Sequence, residues 1–386
     1  SCENCMNRLL LILLLPLLLA AHGCDREAPV VPSGTVVKVG FIGPQTGSDF
    51  VYGEETLQGV MTAHSLQPLL ANGDRVEIIQ ANSGHDAASV QAAMRGLVDE
   101  DGVVAMLLAM DSESLLEVAA FVDTLETPAI ALIASHPGVV EGSGHITQLP
   151  FDDTTQGTVA ALFVRDELLI KRAAVIADFD NPHSRYLKDT FEQKFTSTGG
   201  ELTGSHEVTA INDAILRHLE AKDTRLLYLP LSARGTLQVT SVLGEMGWDP
   251  EIITSDGLLA SMLGEFPDRV NELEGMYATD LFSDTGEFVK HRRLGRRAEV
   301  SFAELFDGQQ NTFTGLGVES YALLVHAMNR CVVSSDRDCI NRALRSTRDF
   351  EGTMSRISID KSGRAHRPVF VNTIREGYLE SVVKVY

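Results

Sequence analysis

From residue 36 onward, apolar and polar positions follow two alternating rhythms. Residues 36–43, 76–81, 103–110 and 128–135 are short, nearly continuous apolar runs. Between them, residues 53–70, 87–98 and 114–125 space their apolar side chains three and four apart, with Leu57, Val60, Met61, Leu66 and Leu69 marking the first. Uninterrupted apolar runs flanked by helical periods predict parallel strands covered on both faces. The pattern then restarts. Residues 155–168, 186–197 and 236–246 predict helices, and 173–178, 226–231 and 251–255 predict strands. Two such units predict an α/β fold of two doubly wound parallel-sheet lobes. A ligand site is expected in the cleft between them, where strand ends and helix N-termini converge.

The stretch ahead of residue 36 reads differently. Residues 9–21 are almost all leucine, broken by Pro16 and preceded by Arg8. The run is shorter than the roughly 20 residues a membrane span requires, and fits the core of an export signal. Ala20-Ala21-His22-Gly23-Cys24 resembles a bacterial lipobox, with Ala21 where leucine is usual and an uncommon His22. The expectation is a signal peptide over residues 1–23, with 1–5 upstream of a start at Met6. A lipid is expected on Cys24, with a Pro- and charge-containing tether over 24–35. This places the protein in the periplasm or at the cell surface, anchored to a membrane. Cys331 and Cys339 then remain, flanking a polar segment. In an exported chain they read as a disulfide, with two free thiols as the other possibility.

Composition narrows the partners. The chain has 386 residues and a net charge of −21, so phosphate backbones would be repelled and nucleic acid is not expected. No glycine-rich phosphate loop precedes a helix, no His/Cys cluster has metal-ligand spacing, and no G-x-S-x-G elbow is present. No metal, cofactor or catalytic activity is expected.

Several segments carry a resemblance. VGFIGPQTGSDFVYG (residues 39–53) is similar to the first strand and loop of type I periplasmic binding proteins of the leucine/isoleucine/valine-binding family. LVDEDGVVA (97–105), TPAIALIASHP (127–137), SR followed by a helix (184 onward), SDG (255–257), EGMY (274–277) and DFEGTMSRISID (349–360) continue it in order. The resemblance implies two lobes, residues 36–153 with 280–355 and 154–279 with 356–386, joined by a multi-strand hinge. It implies closure on an amino-acid-like solute and delivery to an ATP-binding-cassette permease. A ligand-sensing receptor of the same fold, signalling without transport, is the alternative.

The resemblance also implies site residues. Ser112, ahead of a helix N-terminus, suits a carboxylate; Ser114 and Glu117 read as that helix's capping box. Ile133, Ala134 and Ser135 match a turn that grips both ends of the ligand, the carbonyl at 133 taking the ammonium. Asp256 matches the acid that holds the amino group, and Tyr52 a pocket tyrosine. His183 stands where a tyrosine is usual. Ser232, or Ala233 beside it, stands where an aromatic residue or glycine is common. His136 reads as a turn residue, and Leu281 and Phe282 as core. The polar replacements speak against a purely aliphatic ligand.

Overall fold

The computed structural model describes residues 29–47, 50–283, 288–293 and 296–386. The signal peptide, Cys24 and the first part of the tether lie outside the described residues. Among the described residues, no helix is long and apolar enough to cross a membrane.

The first sheet is wholly parallel, in the order β2-β1-β3-β4-β5, from β1 (Val36–Gly43), β2 (Arg75–Asn82), β3 (Ala105–Leu108), β4 (Ala129–Ala131) and β5 (Ile146–Gln148). Helices α1 (Phe50–Leu66), α2 (Ala87–Arg95) and α3 (Ser112–Thr124) connect its strands. β3 and β4 are buried throughout, as their unbroken apolar runs require. Both are shorter than predicted; beyond β4, Ile133 and Ser135 turn to the wall of the interlobe cleft. Helix α1 stops at Leu66, where Pro68 disfavours helical backbone in its predecessor.

The chain crosses to the second lobe at residues 149–152. There α4 (Asp153–Leu162), β6 (Arg172–Ala177), α5 (Pro182–Ser197), β7 (Glu201–Glu207), α6 (Asp213–Ala221), β8 (Leu226–Leu229), α7 (Ala233–Met246), β9 (Glu251–Thr254), α8 (Leu258–Glu265) and β10 (Tyr277–Asp280) follow. The chain returns after Asp280 through a hairpin, β11 (Phe288–Arg293) and β12 (Arg296–Ser301), the short α9 (Phe302–Leu305) and α10 (Thr312–Met328). Helix α11 (Arg337–Arg345) precedes a small antiparallel sheet of β13 (Phe350–Glu351), β14 (Arg356–Ile359) and β15 (Ala365–His366). Strands β16 (Val369–Arg375) and β17 (Tyr378–Val385) complete the second sheet antiparallel, in the order β17-β16-β10-β9-β8-β6-β7. The switch expected at residue 356 falls inside the small sheet, which still bonds to the first lobe: Ile359 N donates to the Thr347 carbonyl, and Gln148 N to that of Gly363. The tail joins the second sheet only at Val369.

Helix α10 is buried on nearly every side and packs along α1. Glycines permit the close approach. A Cβ on Gly59 would lie 2.2 Å from the Thr314 carbonyl oxygen, and one on Gly317 2.1 Å from that of Thr56. Glu319 on α10 is fully buried, and its Oε2 lies 2.8 Å from Nη1 of the equally buried Arg367. Its Oε1 accepts from Met354 N (2.7 Å) and Ser355 N (3.4 Å). Arg367 also donates to the Leu149 carbonyl (3.3 Å) and Ser355 Oγ (3.2 Å), tying two crossover segments to α10. Cys331 and Cys339 form a disulfide.

Candidate functional site

A cavity of about 120 Å³ lies between the lobes. Tyr52, Ser112, Ile133, Ser135, His183, Ser232 and Asp256 all line it, so seven of the eight residues singled out from the sequence converge there. Ala134 does not; it is buried behind the wall, and its carbonyl accepts from Gln148 Nε2 at 2.8 Å. A larger hollow of about 670 Å³, edged by Leu263, Val270, Phe306 and Tyr378, contains none of these residues.

The first lobe offers hydroxyl donors. Helix α3 begins at Ser112, and its N-cap is Asp111, whose carboxylate accepts from Ser114 N at 2.9 Å. The expected capping box of Ser114 and Glu117 is therefore replaced: the cap lies three residues earlier, at Asp111, which takes the orphan N–H of Ser114. Ser112 Oγ accepts from Ser135 N (3.2 Å) and His136 N (3.1 Å). A hydroxyl has two lone pairs and one proton, so Ser112 can now act only as a donor. The Ser135 carbonyl accepts from Asp153 N across the crossover (3.0 Å). Tyr52 meets Phe313 of α10 edge to face, centroids 5.1 Å apart, forming an apolar side of the cavity. His136 is the turn residue expected, with Nδ1 accepting from Gly138 N at 3.0 Å.

The second lobe offers carboxylates and an imidazole. His183 follows Pro182 at the start of α5, capped by Asn181. Its Nδ1 lies 3.0 Å from Oδ2 of Asp153, the fully buried first residue of α4, and 3.3 Å from Ser135 Oγ. Burial would push the imidazole's pKa down, but the charge and hydrogen bond of Asp153, with Asp256 and Asp111 further off, raise it to about 9. Asp256 lies in the turn after β9, before Gly257, whose φ of +73° suits glycine and which caps α8. Its Oδ1 accepts from Gln156 Nε2 at 2.7 Å, and burial holds its carboxyl above the usual range, against the pull of His183. Ser232 caps α7 through Gly235 N at 3.2 Å and stands at the exposed edge, with Ala233 buried beside it. Leu281 and Phe282 are core, with Phe282 edge-on to Phe302.

Four residues escaped the sequence reading. Asp153 and Gln156 lie three apart on one face of α4, under the site; Asp153 Oδ1 and Gln156 Oε1 have no partner among the described residues. Asp280, at the end of β10, accepts from Gly257 N (3.1 Å), Leu281 N (2.7 Å), Phe282 N (3.2 Å) and Thr312 Oγ1 (2.6 Å). Burial and the Asp256 charge push its carboxyl up to about 7 despite these donors. Phe313 is the fourth. The helical spacing of Asp153 and Gln156 was a usable signal; Asp280 and Phe313 come to the site only through tertiary structure. Among the described residues, no group of His, Cys, Asp or Glu is placed to hold a metal ion.

A family model described as periplasmic binding protein matches residues 36–378. A curated amino acid binding protein of Pseudomonas aeruginosa is 28% identical over 149 residues, 37% of this chain; the match spans about two fifths of that relative's length. The leucine binding protein LivK of Thermotoga maritima superposes with a TM-score of 0.78 at 22% identity, over 90% of this chain and 98% of its own. The branched-chain amino acid transporter substrate binding protein LivJ of Streptococcus pneumoniae, solved with isoleucine, gives 0.75 at 20% identity, over 90% and 99%. A solute binding protein of an ABC transporter from Rhodopseudomonas palustris, solved with p-hydroxybenzoic acid, gives 0.74 at 15% identity, over 90% and 96%.

Proposed function

Because this chain belongs to the type I periplasmic binding proteins of the leucine-binding family, we propose that it captures a small amino-acid-like solute between its lobes and hands it to an ATP-binding-cassette permease. The family works outside the cytoplasm. The relatives solved with isoleucine and with p-hydroxybenzoic acid support small carboxylates as the solute class. One observation carries the reading. Ser112, restricted to donating, faces the half-buried acceptor Asp256 across a cavity too small for a large ligand.

In this reading Ser112 and Ser135 take the carboxylate, and Asp256 with the Ile133 carbonyl takes the ammonium. Tyr52, with Phe313, supports the side chain. Ala134 acts only by shaping the turn, and Ser232 by rimming the entrance. Closure excludes water, which strengthens each polar contact, and a carboxylate against an ammonium is stronger than a neutral pair. The first lobe, carrying the small β13–β15 sheet with it, moves against the second, and a lipid on Cys24 keeps the protein at the membrane. Intact-mass measurement of the mature chain tests the anchor; an unmodified N-terminus elsewhere refutes it.

Calorimetric titration with leucine and its deaminated and decarboxylated analogues tests the site. Asp256→Asn should weaken leucine at least tenfold more than 4-methylpentanoate, because the ammonium loses its charged partner. Ser112→Ala should weaken both carboxylates and spare 3-methylbutylamine. Unchanged affinities in both variants would remove the solute from this cavity.

A further inference from the structure

The second lobe's contribution to a solute's carboxylate can be taken further, resting on the reading of this cavity as a solute site. His183 sits at the start of α5 with its side chain about a quarter exposed, and it lines the cavity. Asp153, behind it, is wholly buried and holds Nδ1 at 3.0 Å. A carboxylate on Nδ1 fixes the ring and leaves Nε2 as the outward N–H. Among the described residues no partner is found for Nε2. That same Nδ1 lies 3.3 Å from Ser135 Oγ, so the ring stands beside the first lobe's hydroxyl donors rather than at a separate end of the cavity.

We propose that His183, oriented by Asp153, is the second lobe's donor to the ligand carboxylate, so that closure clamps the carboxylate between His183 and the Ser112–Ser135 pair. The site then selects for a carboxylate first and for an ammonium second. Small monocarboxylic acids without an amino group belong to its substrate class, and the matching amides and amines bind more weakly than the acids. Two features support this order. The carboxylate end collects donors from both lobes, whereas Asp256 already gives one oxygen to Gln156. In addition, the Asp153–His183 pair is neutral as a unit only while the imidazole is charged, and that charge is retained through neutral pH. The groups facing His183 are Asp153 on α4, Asp256 after β9, Asp111 before α3, and His136 in the turn after β4. Three carboxylates favour the imidazolium and the half-buried His136, whose pKa burial lowers, does not offset them.

The test is calorimetric titration of the full mature protein with leucine, 4-methylpentanoate, 4-methylpentanamide and 3-methylbutylamine, in wild type, His183→Gln, His183→Phe and Ser112→Ala. Expected are binding of both carboxylates and a loss of about 10- to 100-fold in affinity for each in the His183 variants, the range for a charge-assisted hydrogen bond. His183→Gln keeps a donor for Asp153 should His183→Phe fail to fold. A second readout needs no variant. Affinity for 4-methylpentanoate, which has no amino group to titrate, should be flat from pH 7 to 8 and fall by up to about tenfold per unit above pH 9. The proposal is overturned if the amide binds as tightly as the acid, if no carboxylate binds, or if carboxylate affinity survives both His183→Gln and pH 10. If Ser112→Ala still weakens binding in that last case, the cavity remains the solute site and only the role of His183 is lost. If Ser112→Ala has no effect either, the cavity reading itself falls.

Discussion

The buried pair Glu319–Arg367 gives a sharp test of what holds the hinge. Glu319→Gln is nearly isosteric and keeps Oε1 as acceptor for Met354 N and Ser355 N, so the perturbation is confined to the charge. It leaves a guanidinium with no exposed side-chain surface and no counter-charge. Removing one partner of such a pair costs about 3–5 kcal/mol. Arg367→Met should cost a similar amount, since it strands the carboxylate and removes the donors to the Leu149 carbonyl and Ser355 Oγ. Together the two substitutions remove both charges. What remains is the loss of those two hydrogen bonds, about 0.5–1.5 kcal/mol each, so the double variant should be more stable than either single one. Urea unfolding measures this by two probes. Circular dichroism follows both lobes, and the single tryptophan, Trp248, follows the second lobe alone. Single variants that lose less than 1 kcal/mol, with a double variant equal to their sum, would refute the view that the pair is electrostatically coupled and buried.

Two further outcomes follow from the same physics. The Asp280 carboxyl, raised to about 7, binds its proton more readily folded than unfolded, so it should make stability fall as pH rises from about 4 to 7; His183, raised to about 9, continues the fall from about 6.5 to 9. Thermal unfolding across pH 4–9 should show this slope, and Asp280→Asn should flatten its lower half; an unchanged slope would count against Asp280. Reducing the Cys331–Cys339 disulfide opens a loop of sequence separation 8 and should cost about 2–3 kcal/mol; two alkylatable thiols in protein isolated from an oxidising compartment would contradict the bond.

The two-lobed architecture was legible because its strands are continuous apolar runs, as in β3 and β8, and such runs need no tertiary knowledge to read. The helix starts were not. Helices α4, α5 and α7 begin at Asp153, Pro182 and Ala233, where the apolar rhythm pointed to 155, 186 and 236. Those first turns face the cleft and carry Asp153, His183 and the cap Ser232, so the polar residues that serve the site erase the periodicity that would have announced the helix. The cap Asp111 was missed for the same reason. Ser112, Ser135 and Asp256 were reached through local motifs around a turn. Asp280 and Phe313 had no such motif: Phe313 reaches the cavity wall, and Asp280 the Gly257 turn behind it, from chain segments that arrive only after the lobes are assembled.

The dependence of α1 on α10 also fixes when the first lobe can be completed. About 180 residues separate the end of β5 at Gln148 from the end of α10 at Met328. At roughly 5–20 residues per second, a ribosome takes about 10–40 s to bridge that gap. Until that helix is made, the face of α1 that receives Gly317 and its neighbours has nothing to pack on. Vectorial folding from the N-terminus is therefore closed to this lobe: a helix its core requires is synthesised after almost the whole of the other.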